Sequence, residues 1–257
     1  MKRVLTALAL IPVVVYVVLW ANPWVFLAVL FAAAFLCYRE YDAIAAAYGF
    51  GAPGMLGAAA GYLLFAWRGE AWLYLTIVAL AMLVAVMRDG DLPKALPRAA
   101  LGITGVIYIF GCWKCAIPLR EANAHWLMFA LLVNWSGDIG AYYVGRNFGK
   151  HKLAPRVSPN KSWEGSAASV ATSILLAGAY LLRFVDGITI VHAIGITVAA
   201  NIAGQLGDLA ESAMKRGAGV KDSGTILPGH GGFLDRVDST LFALPVIYGY
   251  LLLIAPA

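Results

Sequence analysis

Apolar residues run through this chain in long blocks separated by short polar connections. Nine blocks stand out: Val4–Trp20, Pro23–Tyr38, Gly51–Trp67, Trp72–Met87, Ala99–Pro118, Trp126–Gly145, Ser166–Leu182, Ile188–Gly207 and Ser239–Ala257. Each approaches the length at which a helix crosses a hydrocarbon core of about 30 Å. Several are only 16 or 17 residues long, so flanking residues must add a turn or the helices must stand nearly upright. The third block is the weakest, because Gly51, Pro53, Gly54, Gly57 and Gly61 interrupt it. The pattern predicts an all-α polytopic membrane protein with about nine transmembrane helices.

Composition excludes the soluble alternative. Of the 257 residues, 61% are hydrophobic and 13% charged, against roughly a quarter charged in ordinary soluble domains. Lys2 and Arg3 ahead of the first block resemble the start of a signal peptide. No small-x-small cleavage site follows Trp20, so that block is expected to remain as a helix. With the amino terminus in the cytoplasm and nine alternating spans, 15 of the 19 Lys and Arg residues fall on the cytoplasmic side. Only Arg68, Lys114, Arg120 and Arg183 fall opposite, and the reverse orientation would invert the ratio. A cell-membrane (inner-membrane) protein with a cytoplasmic amino terminus is therefore expected. The three cysteines do not form a disulfide framework. Cys112 and Cys115 lie inside the fifth block, where small apolar packing explains them.

Two connections, both cytoplasmic in this topology, are unlike the rest. Arg146–Gly165 reads RNFGKHKLAPRVSPNKSWEG and Glu211–Asp238 reads ESAMKRGAGVKDSGTILPGHGGFLDRVD. They divide the chain functionally, with helices alone over residues 1–125 and a catalytic region carrying both loops over 126–257. Together the loops hold nine of the 19 basic residues. Topology and anionic lipid would account for that charge, but not for the aspartates and glycines interleaved with it. The spans feeding the loops are also polar at depth. Asn201, Gln205, Asp208, Ser212 and Lys215 recur at spacings of four, three, four and three, which is one helical stripe. Asn134, Asp138 and Tyr142 form a shorter one. Ionisable groups at membrane depth usually face a bundle interior or a wet cavity, so a polar cavity opening to the cytoplasm is expected; simple polar gluing of helices is the plainer reading.

The chemistry such groups suit is narrow. Lys215, Arg216, Lys221 and Arg236 offer donors to phosphate oxygens. Asp208, Asp222, Asp235 and Asp238 offer hard oxygen ligands of the kind Mg²⁺ takes beside substrate phosphates. Gly229, Gly231 and Gly232 around His230 let backbone amides approach an anion. Four aspartates would repel a bare anion, so the pattern points to phosphates bridged by metal. A Walker-type motif is absent, and no nucleic-acid partner is expected.

The stretch Ser212–Asp238 closely resembles the signature of the phosphatidate cytidylyltransferases, also called CDP-diacylglycerol synthases. The matching positions are Ser212, Lys215, Arg216, Lys221, Asp222, His230, Gly231, Gly232, Asp235, Arg236 and Asp238. The runs Gly207–Ser212, Ser158–Gly165 and Asp138–Arg146 are similar to that family as well, so the resemblance covers most of residues 134–257. It implies that CTP and phosphatidate are converted to CDP-diacylglycerol and pyrophosphate with Mg²⁺, with or without a second cation, by a homodimer in contact with membrane lipids. It also implies site roles. Asp208 and Asp235 are the foremost metal ligands, with Asp138, Asp222 and Asp238 behind them. Lys215, Arg216, Lys221 and Arg236 hold the phosphates, and Lys161, with Ser158 and Glu164, completes the site from the first loop. His230 reads either as an acid toward pyrophosphate or as a turn-stabilising residue. Trp163 reads either as a stacking partner for cytosine or as an interfacial anchor. Rival readings are a CTP-dependent polyprenol kinase, an ether-lipid cytidylyltransferase and a transporter. The last is disfavoured by the lack of an internal repeat. A CDP-alcohol phosphotransferase would need a D-G-x-x-A-R helix that this chain lacks.

Overall fold

The computed structural model describes residues 2–51, 54–87, 91–226 and 231–254, with side chains from Leu10 onward. The chain is almost entirely helical. In order it forms α1 (Lys2–Leu19), α2 (Pro23–Ala47), α3 (Gly54–Ala66), α4 (Ala71–Val86), α5 (Leu92–Ala122) and α6 (Ala124–Phe148). A hairpin of β1 (Lys152–Ala154) and β2 (Ser158–Ser162) follows, then α7 (Trp163–Phe184), α8 (Ile190–Gly217) and α9 (Leu234–Ile254). Among the described residues, α2, α5, α7, α8 and α9 are long and apolar enough to cross a membrane, while part of α1 (Leu10–Leu19), α3 and α4 are shorter apolar helices. The protein is an all-α membrane protein.

Two helices change winding along their length. Val106–Gly111 in α5 and Ile174–Gly178 in α7 are π-helical, a local widening that re-aims side chains and often accompanies functional sites. The first basic loop also differs from a plain connection. It folds back as an antiparallel hairpin, with Lys152 opposite Ser162 and Ala154 opposite Ser158. The Oγ of Ser162 then accepts the Gly165 N–H at 3.2 Å and so caps α7.

The contacts divide the chain into two compact units that interleave in sequence. The first comprises Met1–Phe26, Cys115–Ala213 and Arg236–Ala257. Its centre is the close packing of α6 on α7. Small residues make this possible: a Cβ added at Gly140 would lie 2.1 Å from Thr172 Oγ1 and 2.8 Å from the Ala168 carbonyl. Where lipid tails remove the hydrophobic drive, such small-residue contacts and interhelical hydrogen bonds hold helices together. Ser173 donates to the Val133 carbonyl at 2.7 Å, and Asn201 donates to Ser169 at 3.0 Å and Ser173 at 2.9 Å. Arg120 donates to the carbonyls of Val18 and Ala21 and lies over the Phe26 ring, which satisfies the end of α1.

The second unit comprises Leu27–Lys114 and Met214–Asp235. An aromatic cluster of Phe31, Tyr38, Tyr62, Phe65 and Phe110 packs around the buried rings of Tyr38 and Phe110. Gly61 lets the Phe110 ring approach, since a Cβ there would fall 2.0 Å from it. Lys114 donates to the carbonyls of Leu64 and Trp67 at 2.8 and 2.7 Å, closing the end of α3.

Candidate active site

In the first unit, helices α6, α7 and α8 and the hairpin enclose a cavity of about 610 Å³. Its wall carries Asn134, Asp138 and Tyr142 from α6 and Asn201, Gln205 and Asp208 from α8. Helical periodicity puts each set on one stripe, and here both stripes face one space. The α8 stripe is internally bonded: Gln205 donates to Asn201 Oδ1 at 2.6 Å, and Ser166 donates to Gln205 Oε1 at 2.5 Å. That satisfaction is what makes amides tolerable at such depth.

Charge collects on the same wall. Lys161, on β2, places its Nζ 2.6 Å from Asp208 Oδ2, and Ser212 donates to Asp208 Oδ1 at 3.3 Å. Asp138 is close enough to Asp208 to feel its charge, and Lys161 and Arg236 act on Asp138 in the opposite sense. Arg146 and Lys152 also line the cavity. The hairpin thus brings Lys152 and Lys161 to a wall that α6 and α8 supply with carboxylates.

The second unit holds the other conspicuous cluster, around the start of α9. Lys215 forms an ion pair with Asp235 Oδ1. Asp235 Oδ2 accepts the backbone N–H groups of Ser223 at 3.0 Å and Gly232 at 2.8 Å. Beside it, Glu40 of α2 is buried at 4% exposure. Its Oε2 accepts the Ser223 hydroxyl and the Leu234 N–H, both at 2.7 Å, and its Oε1 accepts the Phe233 N–H at 2.9 Å. Gly231 has φ +80°, and a Cβ there would sit 2.8 Å from Asp235 Oδ2. This position requires glycine on both counts. Lys221, Asp222 and Arg216 are exposed, Arg216 donating to the Val220 carbonyl at 3.2 Å.

The remaining predicted residues fall as follows. Ser158 is half-buried on β2, and Glu164 accepts from the His151 backbone and ring; neither lines the cavity. Trp163 is exposed. Asp238 is buried in the first unit, and its Oδ1 accepts the Ser239 N–H at 2.7 Å. His230 and Gly229 lie outside the described residues. Sequence reasoning missed Glu40, Arg146, Lys152 and Ser162. A glutamate two residues past the end of an apolar block was the available signal for Glu40.

Among the described residues, no group of three or more His, Cys, Asp or Glu side chains converges as a metal cluster. Mg²⁺ does not require one, since it takes one or two carboxylates and completes its shell with water and substrate phosphates. Asp138 and Asp208 on one cavity wall fit that donor set. Asp235, in the second unit, is met at Oδ1 by Lys215 of α8 and at Oδ2 by the Ser223 and Gly232 N–H groups.

A protein-family model described as the cytidylyltransferase family matches residues 1–254. The chain is 46% identical over 145 residues to the phosphatidate cytidylyltransferase of Bacillus subtilis, covering 55% of this chain and 54% of that protein. It is 43% identical over 150 residues to the enzyme of that name from Staphylococcus aureus, covering 58% and 57%. The corresponding protein of Staphylococcus haemolyticus is 45% identical over 150 residues, with the same coverage. The chain therefore spans little more than half the length of the curated relatives it matches.

Proposed function

This chain belongs to the cytidylyltransferase family, and from that membership we propose that it transfers the cytidylyl group of CTP to phosphatidate. A lipid phosphate oxygen attacks the α-phosphorus of CTP, the bond from that phosphorus to the bridging oxygen breaks, and pyrophosphate departs. The nucleophile is already anionic, so no general base is needed. The barrier lies in bringing two polyanions together and in stabilising the leaving group.

One observation carries this reading: Asp138, Asp208 and Lys161 share the wall of a single polar cavity that also bears Arg146 and Lys152. A surface meant for anions alone would have no use for the carboxylates. Asp138 and Asp208 would hold Mg²⁺, which when bound neutralises phosphate charge and supports the departing pyrophosphate. Lys161, Arg146 and Lys152 offer N–H donors to phosphate oxygens and orient them. The family resemblance assigns Lys215, Arg216, Lys221 and Arg236 to phosphates and Asp235 to metal. The names of the curated relatives favour phosphatidate over a polyprenol or ether lipid, and transfer over transport.

The same reading has nine crossings in the cell membrane, an amino terminus in the cytoplasm and a cavity open to that side, as the distribution of Lys and Arg supports. One substrate is a lipid and the other is soluble, so a cavity near the interface serves both. A homodimer follows from the resemblance. The test is direct: purified full chain is given labelled CTP, phosphatidate and Mg²⁺, and CDP-diacylglycerol and pyrophosphate should appear in equal amounts. A folded chain that makes neither product overturns the proposal.

A further inference from the structure

Glu40 lies on α2, far in sequence from every residue that the family signature marks, yet it bonds to three groups of the loop that leads into α9. Its carboxyl oxygens accept the Ser223 hydroxyl and the backbone N–H groups of Phe233 and Leu234. The two amides stand at the start of α9, where helical N–H groups have no partner within the helix. The loop is shaped to admit this carboxylate. A Cβ at Gly224 would fall 2.5 Å from Glu40 Oε1, and one at Gly232 would fall 2.4 Å from Glu40 Oε2.

The contact continues beyond Glu40. The Ser223 hydroxyl that donates to Glu40 also accepts the Asp235 N–H at 3.3 Å, and the Ser223 N–H donates to Asp235 Oδ2. Asp235 in turn holds Lys215. A single serine therefore links Glu40 to the carboxylate that fixes a signature lysine, and it directly follows Lys221 and Asp222. The platform under Glu40 is itself anchored: Tyr41 donates to the Leu101 carbonyl at 2.9 Å, Asp42 accepts the Gly54 N–H at 2.8 Å, and Tyr48 donates to the Met214 carbonyl at 2.8 Å.

We propose that Glu40 is a positioning residue for cytidylyl transfer, acting through Ser223 to hold the loop that carries Lys221 and Asp222 and the Lys215–Asp235 pair. The inference rests on the reading of the chain as a CTP-dependent cytidylyltransferase. The effect of Glu40 is to keep cationic donors in register, where misplacement by about 1 Å costs roughly 100-fold in rate.

The experiment uses full-length chain in detergent–phosphatidate micelles, with Glu40→Ala, Glu40→Gln, Ser223→Ala and the double variants. Glu40→Ala should lower kcat by roughly 100-fold while KM for phosphatidate stays near wild type; the donors left unpaired lower the thermal midpoint as well, so kcat is read well below it. Glu40→Gln, which keeps one acceptor oxygen, should recover part of that loss. Because both residues act through one contact, Glu40→Ala with Ser223→Ala should be no slower than the slower single variant. If Glu40→Ala does not fold, Glu40→Gln, Ser223→Ala and their double are judged by the same criterion. Wild-type kcat in a folded Glu40→Ala chain overturns the inference, as do losses that multiply in the double variant. If the wild-type chain itself makes no CDP-diacylglycerol, the underlying reading fails and this inference with it, which is a different result from active wild type with indifferent variants.

Discussion

Lys161 of the β-hairpin and Asp208 of α8 form an ion pair across the cavity wall, with Nζ 2.6 Å from Oδ2. The lysine comes from one basic connection and the aspartate from the helix that leads into the other. Both side chains are only partly exposed, so the pair is less screened than one on an open surface. Removing either partner leaves the other charged and partly desolvated beside Asp138.

Asp208→Asn should therefore abolish measurable transfer, with a loss of at least about 100-fold in kcat, while the helical circular-dichroism signal is kept. Lys161→Met should also lose activity, but should retain dependence on Mg²⁺. Full activity in both folded variants would remove this pair from the site.

Asp138→Asn tests the metal assignment separately. With one carboxylate left on the wall, the Mg²⁺ concentration for half-maximal rate should rise by roughly 10- to 100-fold. An unchanged Mg²⁺ titration for Asp138→Asn would exclude it as a ligand.

The Lys215–Asp235 pair is largely buried, with side chains 10% and 6% exposed. Breaking such a pair from one side costs about 3–5 kcal/mol where burial is complete. Lys215→Met should accordingly loosen the loop, and amide hydrogen exchange at Ser223 and Gly232 should speed up markedly. Exchange as slow as in wild type would show that the ion pair does not hold these amides.

Packing of α6 on α7 can be probed away from the chemistry. Gly140→Val drives a branched side chain into Thr172 and the Ala168 carbonyl, and should cost about 1–3 kcal/mol of stability, read as a lower thermal midpoint. Gly195→Ala is the control, since nothing lies within 4 Å of its added Cβ. Equal midpoints for the two variants would show that the interface yields without cost.

How much of this was legible beforehand depended on how local the cause was. A run of apolar residues determines its own helix, because in a bilayer every backbone N–H and C=O must be satisfied within the segment. Among the described residues, each of the nine apolar blocks overlaps a helix, and five of the helices are long and apolar enough to cross a membrane. Likewise, the spacing of Asn201, Gln205 and Asp208 set their common stripe, since helical pitch alone decides it. The sequence did not show that the first basic loop would turn back as a hairpin and deliver Lys161 to Asp208. Nor did any local pattern tie Glu40 to Ser223, Phe233 and Leu234. Those are choices of acceptor for particular donors, settled only when segments remote in the chain pack together. Periodicity along one segment records which face avoids lipid or water, whereas a hydrogen-bond partner on another segment leaves no mark in the spacing of either.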